Sequence, residues 1–109
     1  MKDLLERLID FRDKRDWKKY HTPKDLAISI SLEANELLEN FQWKSSEEAV
    51  EANFENIKDE LADVVIYALL MSDVLGIELE EAIRNKIRKN EIKYPVSKAF
   101  GSNKKYDEL

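Results

Sequence analysis

No cysteine occurs in the 109 residues. Disulfides and thiolate zinc sites are therefore excluded, and the chain fits a reducing compartment, so a cytoplasmic location is expected. Glycine and proline number two each, too few to build the turns of a loop-rich all-β fold. No apolar run approaches the roughly 20 residues that span a bilayer; no membrane partner is expected. The opening stretch MKDLLERLIDF is amphipathic and carries acids, unlike a signal or transit peptide. The formal charge is −5 and no basic block stands out beyond Lys104-Lys105. A nucleic-acid polymer is thus not expected as a partner, because duplex binding relies on clustered Lys and Arg. A small phosphorylated ligand is compatible with this charge, since a metal ion can supply the positive field.

Hydrophobic residues make up 43 % of the chain and charged residues 38 %, a mix that suits one all-α domain with solvated outer faces. The apolar positions Leu4, Leu5, Leu8, Ile9 and Phe11 recur at helical spacing and predict a first helix over about 1–15. The period is lost over 16–21. Thr22-Pro23-Lys24-Asp25 then supplies an N-cap, a proline at the first helical position and an acid in the first turn. That second helix runs to about residue 41. Ser45 and Glu48 have the spacing of a capping box and open either a short helix near 46–51 or the front of a longer one. A third helix is expected over 53–75, ended by Gly76, and a fourth over 80–93, stopped by Tyr94-Pro95. Residues 96–109 are polar and without period and form a flexible or draped tail behind a single 1–95 domain.

Two pairs of acids carry the chemistry. Glu33 and Glu36 form E-x-x-E on the second helix; Glu60 and Asp63 form E-x-x-D on the third. A spacing of three puts both members of a pair on one helix face. Ile30, Leu37 and Leu38 flank the first pair, and Leu61, Val64 and Val65 the second. Charges among apolar neighbours are costly unless neutralised. Magnesium is a hard cation that takes oxygen ligands and bridges to substrate phosphates, so the pairs point to a metal-dependent enzyme for a phosphorylated substrate. The pairs Glu48/Glu51 and Glu78/Glu81 lack such flanks and read as surface. Tyr67 lies one turn beyond Asp63, while Trp17, His21 and Trp43 lie near helix ends, where aromatics can stack on a base. A lone histidine with Lys18 three residues before it does not make the Glu-x-x-His pairs of a di-iron bundle.

Several segments agree in order and spacing with one family. Arg15-Asp16-Trp17, His21, Pro23, Phe41-Gln42-Trp43-Lys44, the two acid pairs, the run from Glu60 to Tyr67 and the run from Lys86 to Pro95 resemble the MazG-like all-α nucleoside triphosphate pyrophosphohydrolases, in their dCTP pyrophosphatase branch. The resemblance implies a four-helix bundle and hydrolysis of a nucleoside triphosphate to the monophosphate and pyrophosphate. It implies that Glu33, Glu36, Glu60 and Asp63 hold magnesium, with manganese as a substitute, and that they form the catalytic centre. Lys86 and Asn90 match positions that contact phosphate or sugar. Tyr67 matches a residue near the deoxyribose, and Trp17, His21 and Trp43 match residues lining the base pocket. The substrate class it favours is dCTP and its 5-modified forms, removed in nucleotide-pool sanitation.

The family also forms dimers and tetramers with sites near subunit boundaries. A homotetramer is the preferred expectation here, with a dimer as the alternative. A different class stays open on the residues alone: a non-catalytic helical oligomerisation or interaction module whose acids face solvent or a partner's Lys and Arg.

Overall fold

The structure, a computed structural model, describes all 109 residues, and every regular element is helical. Residues 1–77 and 78–109 form two compact units. In the first, α1 spans Lys2–Lys14, α2 spans Pro23–Glu39 and α3 spans Ser46–Leu75. Helix α3 is the common support: α2 packs along it and α1 packs on it as well. A 3₁₀ turn at Lys18–Tyr20 occupies the stretch where periodicity fails.

The helix ends follow local chemistry. The Thr22 side chain accepts from the Asp25 backbone N–H, and Pro23 takes the first helical position. At the start of α3 the capping box is complete in both directions: Glu48 N–H donates to Ser45 Oγ at 3.1 Å and Ser45 N–H to Glu48 Oε1 at 3.4 Å. The short helix expected near 46–51 is therefore the front of α3, with a kink at Asn53 (φ −123, ψ 20) marking the junction. Gly76 closes α3 at φ 66, a left-handed angle that glycine adopts without a Cβ penalty.

Few apolar side chains are fully buried: Leu26, Ala49, Leu69 and Leu70. They sit on α2 and α3, the pair in closest contact. Arg12 is the largest buried polar residue, ion-paired to Asp13 and Asp73, each at 2.8 Å. Leu32, Leu38, Phe54 and Leu61 remain exposed on the isolated chain.

The second unit holds α4, Leu79–Lys93, and α5, Val96–Ala99. Glu78, read from the sequence as surface, caps α4: its carboxylate accepts from the Glu81 N–H at 2.8 Å. The end of the chain drapes back, placing Tyr106 edge-on to Tyr94 at 6.1 Å and beneath the Lys93 ammonium at 4.9 Å. No helix is long and apolar enough to cross a membrane.

Candidate metal and nucleotide site

Glu33 and Glu36 stand on α2, Glu60 and Asp63 on α3. Close packing of these two helices turns their three-residue spacings into one cluster. Carboxylate oxygens of Glu33, Glu36 and Glu60 lie within 4.8 Å of one another. Asp63 falls outside this closest trio, yet its charge reaches the carboxyls of both Glu33 and Glu60.

The electrostatics of the trio are unfavourable as they stand. Burial and then the hydrogen bond and charge of Glu36 push the Glu33 carboxyl up to about 7, with Asp63 and Glu60 adding to the effect. Glu60 is raised as well, first by burial and then by Glu36. One oxygen of each, Glu33 Oε2 and Glu60 Oε2, is buried and has no hydrogen-bond partner. An unpaired buried carboxylate oxygen carries a desolvation cost that nothing in the protein offsets. A divalent cation fits this donor set: it would satisfy both orphaned oxygens and remove the mutual repulsion that raises their pKa values.

Beside the acids, a cavity of about 870 Å³ opens between α1 and α3. Trp17, His21, Asp63 and Tyr67 all line it, as do Phe11 and Arg12. Its volume falls in the range of small-ligand sites. Burial, followed by the charges of Glu33, Asp63 and Glu36, raises the Tyr67 hydroxyl pKa. Tyr67 thus feels the acid cluster and faces the cavity at once. His21 Nδ1 is buried without a partner, and the ring's pKa is lowered by burial and then by the Arg12 charge. Phe11 and Trp17 meet edge-on with ring centroids 5.8 Å apart, and the Arg15 guanidinium lies 3.7 Å from the Phe11 ring centre. This pair sets one wall of the cavity.

Of the residues singled out in the sequence, the structure gathers Glu33, Glu36 and Glu60 in the cluster and Trp17, His21, Asp63 and Tyr67 at the cavity. Trp43 does not line it; the indole is 92 % exposed in the turn between α2 and α3. Lys86 and Asn90 lie on α4, in the second compact unit. Sequence reasoning passed over Arg12 and Phe11. Phe11 was visible only as one apolar position of a helical stripe, and Arg12 carried no local signal.

The model of the MazG-like family matches residues 28–109. The dCTP pyrophosphatase 1 proteins of Rattus norvegicus and Homo sapiens are 32 % and 31 % identical over 114 aligned residues, spanning this whole chain and 67 % of theirs. A pyrophosphatase of known crystal structure from Archaeoglobus fulgidus is 52 % identical, with a TM-score of 0.82 over 87 % of this chain and 92 % of that one. The alternative of a non-catalytic helical module gives way to an enzyme. The chain belongs to the MazG-like family and is a nucleotide pyrophosphohydrolase.

Proposed function

We propose that the enzyme converts a deoxynucleoside triphosphate, dCTP or a 5-modified dCTP, to the monophosphate and pyrophosphate in a magnesium-dependent reaction. The observation that carries this reading is the Glu33–Glu36–Glu60 cluster with its two orphaned buried oxygens, set beside an aromatic cavity. Likeness to proteins named dCTP pyrophosphatase supports the choice of base.

Glu33, Glu36, Glu60 and Asp63 would hold the cation. Bound there, magnesium would neutralise phosphate charge and lower the pKa of water. Glu36 is the exposed member of the trio, open to solvent, and suits the role of base toward the attacking water. Trp17 offers a face for stacking. Neutral His21, with Nδ1 unpartnered, offers one hydrogen bond to a base edge. Tyr67, between the acids and the cavity, suits a deoxyribose and would crowd a 2′-hydroxyl. Lys86 and Asn90, four apart on α4, match positions that contact phosphate or sugar in the family.

The many exposed apolar side chains support a homo-oligomer, a tetramer in this reading with a dimer as alternative. In such an assembly the exposed Trp43 would line the base pocket of a neighbouring chain. A cytoplasmic role in nucleotide-pool sanitation follows from the same reading.

The test is pyrophosphate release from the four common deoxynucleotides, dUTP, 5-methyl-dCTP and the ribonucleotides, with and without magnesium. The expected result is magnesium-dependent release, greatest for dCTP or its methylated form and weak for CTP. Release independent of divalent cation sinks the metal assignment; equal rates with CTP and dCTP sink the sugar role of Tyr67.

A further inference from the structure

Three asparagines outside the acid cluster fasten the end of α2 to α3. Asn40 is buried at 6 % exposure. Its Oδ1 accepts from Asn56 Nδ2 at 2.7 Å, and its backbone carbonyl accepts from Asn53 Nδ2 at 2.9 Å. Its own Nδ2 donates to the carbonyls of Glu36 and Leu37 at 3.3 and 3.2 Å. Carbonyls in the last turn of a helix have lost their intrahelical donors. One side chain therefore closes α2 and ties it across to α3.

The bracket is built at the expense of local stability. Asn53 leaves helical angles where its side chain reaches Asn40, and asparagine is a poor helix former beside alanine. Three residues past Asn40, Trp43 takes a positive φ of 64. A bulky residue in that region is strained, and such strain persists only where the surroundings over-determine it. Packing does not hold the indole, since it is exposed on the chain. The turn is held instead from both ends, by the asparagines before it and the Ser45–Glu48 capping box after it.

The same Asn40 side chain bonds the Glu36 carbonyl. The bracket thus ties an acid of the cation cluster and the exposed indole to the helix that carries Glu60 and Asp63. We propose that Asn40, Asn53 and Asn56 are positioning residues that fix Glu36 and Trp43 against α3, and so set affinity for cation and nucleotide. This rests on the reading of the site given above.

Asn53→Ala and Asn56→Leu in the full chain test it. Asn53→Ala deletes one bond and installs the best helix former, so Tm should hold or rise. KM for dCTP and the half-saturating magnesium concentration should still rise about 10-fold each, the scale of lost support to a ligand. Asn56→Leu should lower Tm and raise both constants, and Asn56→Gln, which keeps the donor, should restore them to within about threefold. With 5-fluorotryptophan in both tryptophans, the ¹⁹F resonance of Trp43 should move in Asn53→Ala while that of Trp17 stays. KM and half-saturation unchanged in both Asn53→Ala and Asn56→Leu would make the bracket purely structural and overturn the proposal. If the wild-type enzyme hydrolyses no nucleotide, the functional reading fails separately; the ¹⁹F arm then decides, and a Trp43 resonance unmoved in both variants overturns the bracket.

Discussion

Arg12 and Asp73 are 61 positions apart in sequence, and the guanidinium Nη1 donates to the carboxylate at 2.8 Å. Arg12 is 2 % exposed and its Nε is taken by Asp13. The pair joins α1 to the last turn of α3, and Arg12 itself lines the cavity together with Trp17 and Tyr67. A buried charge that loses its partner is far more costly than an absent pair. Asp73→Leu should therefore destabilise more than the double variant Arg12→Met with Asp73→Leu. Because Asp13 still holds the Nε, the single change is expected to cost about 2 kcal/mol, read from urea unfolding. Equal stabilities for the single and double variants would show that Arg12, left without Asp73, carries no penalty as a buried charge.

The raised Glu33 pKa makes a signed prediction for the cation-free protein. The folded state holds the Glu33 proton up to about pH 7, against an ordinary value of 4.5. Between those values the folded state binds more protons than the unfolded chain, so this contribution to stability falls as pH rises. It is fully present below about 4.5. Glu33→Gln removes it. The stability of wild type relative to Glu33→Gln, measured by urea midpoint in EDTA, should decrease from pH 5 to pH 8. With saturating magnesium the trend should reverse, because a bound cation favours the ionised form.

His21 has the opposite sign. Its pKa is lowered from 6.5, first by burial and then by Arg12. The unfolded chain then binds more protons below 6.5, and this contribution to stability is lost as pH falls through the folded pKa. As the sole histidine, it gives one imidazole signal by NMR. Its midpoint should lie below 6.5, and Arg12→Met should raise it only part of the way, since burial is the larger cause. A midpoint above 6.5 would show that burial and Arg12 do not set the ring's protonation, and a midpoint well above about 7 would leave it charged at neutral pH and unsuited to accept a hydrogen bond.

Helix ends were legible wherever the signal is local. Thr22-Pro23, Ser45 with Glu48, and Gly76 each act within one turn, and all three cap as their chemistry demands. The acid trio was legible because a three-residue spacing survives intact in a helix. What escaped depends on partners distant in the chain. Nothing near Arg12 announces Asp73, and nothing near Asn40 announces Asn53 and Asn56. The kink at Asn53 was invisible for the same reason, since its side chain answers to a carbonyl on another helix. Asp63 was paired with Glu60 by spacing, yet helix packing sets which oxygens meet, and it leaves Asp63 outside the closest trio.

Glu60 separates stability from function most cleanly. Its Oε2 is buried without a partner, and burial and Glu36 raise its pKa. Replacing it by Gln removes a charge that the cation-free fold must tolerate near two others, while keeping the shape. Glu60→Gln should therefore raise Tm in EDTA at pH 8, the direction expected when a strained site is relieved. The same variant should lose what a cation provides. Wild type with the cation at about 100 times its Kd should gain about 2.7 kcal/mol, whereas Glu60→Gln should gain little, and its hydrolysis should fall more than about 100-fold. Glu36→Ala and Asp63→Ala should lose activity too, with helical circular dichroism intact. A Glu60→Gln protein that is less stable in EDTA, yet still stabilised by magnesium and still active, would place the cation elsewhere and leave the trio an ordinary acidic face.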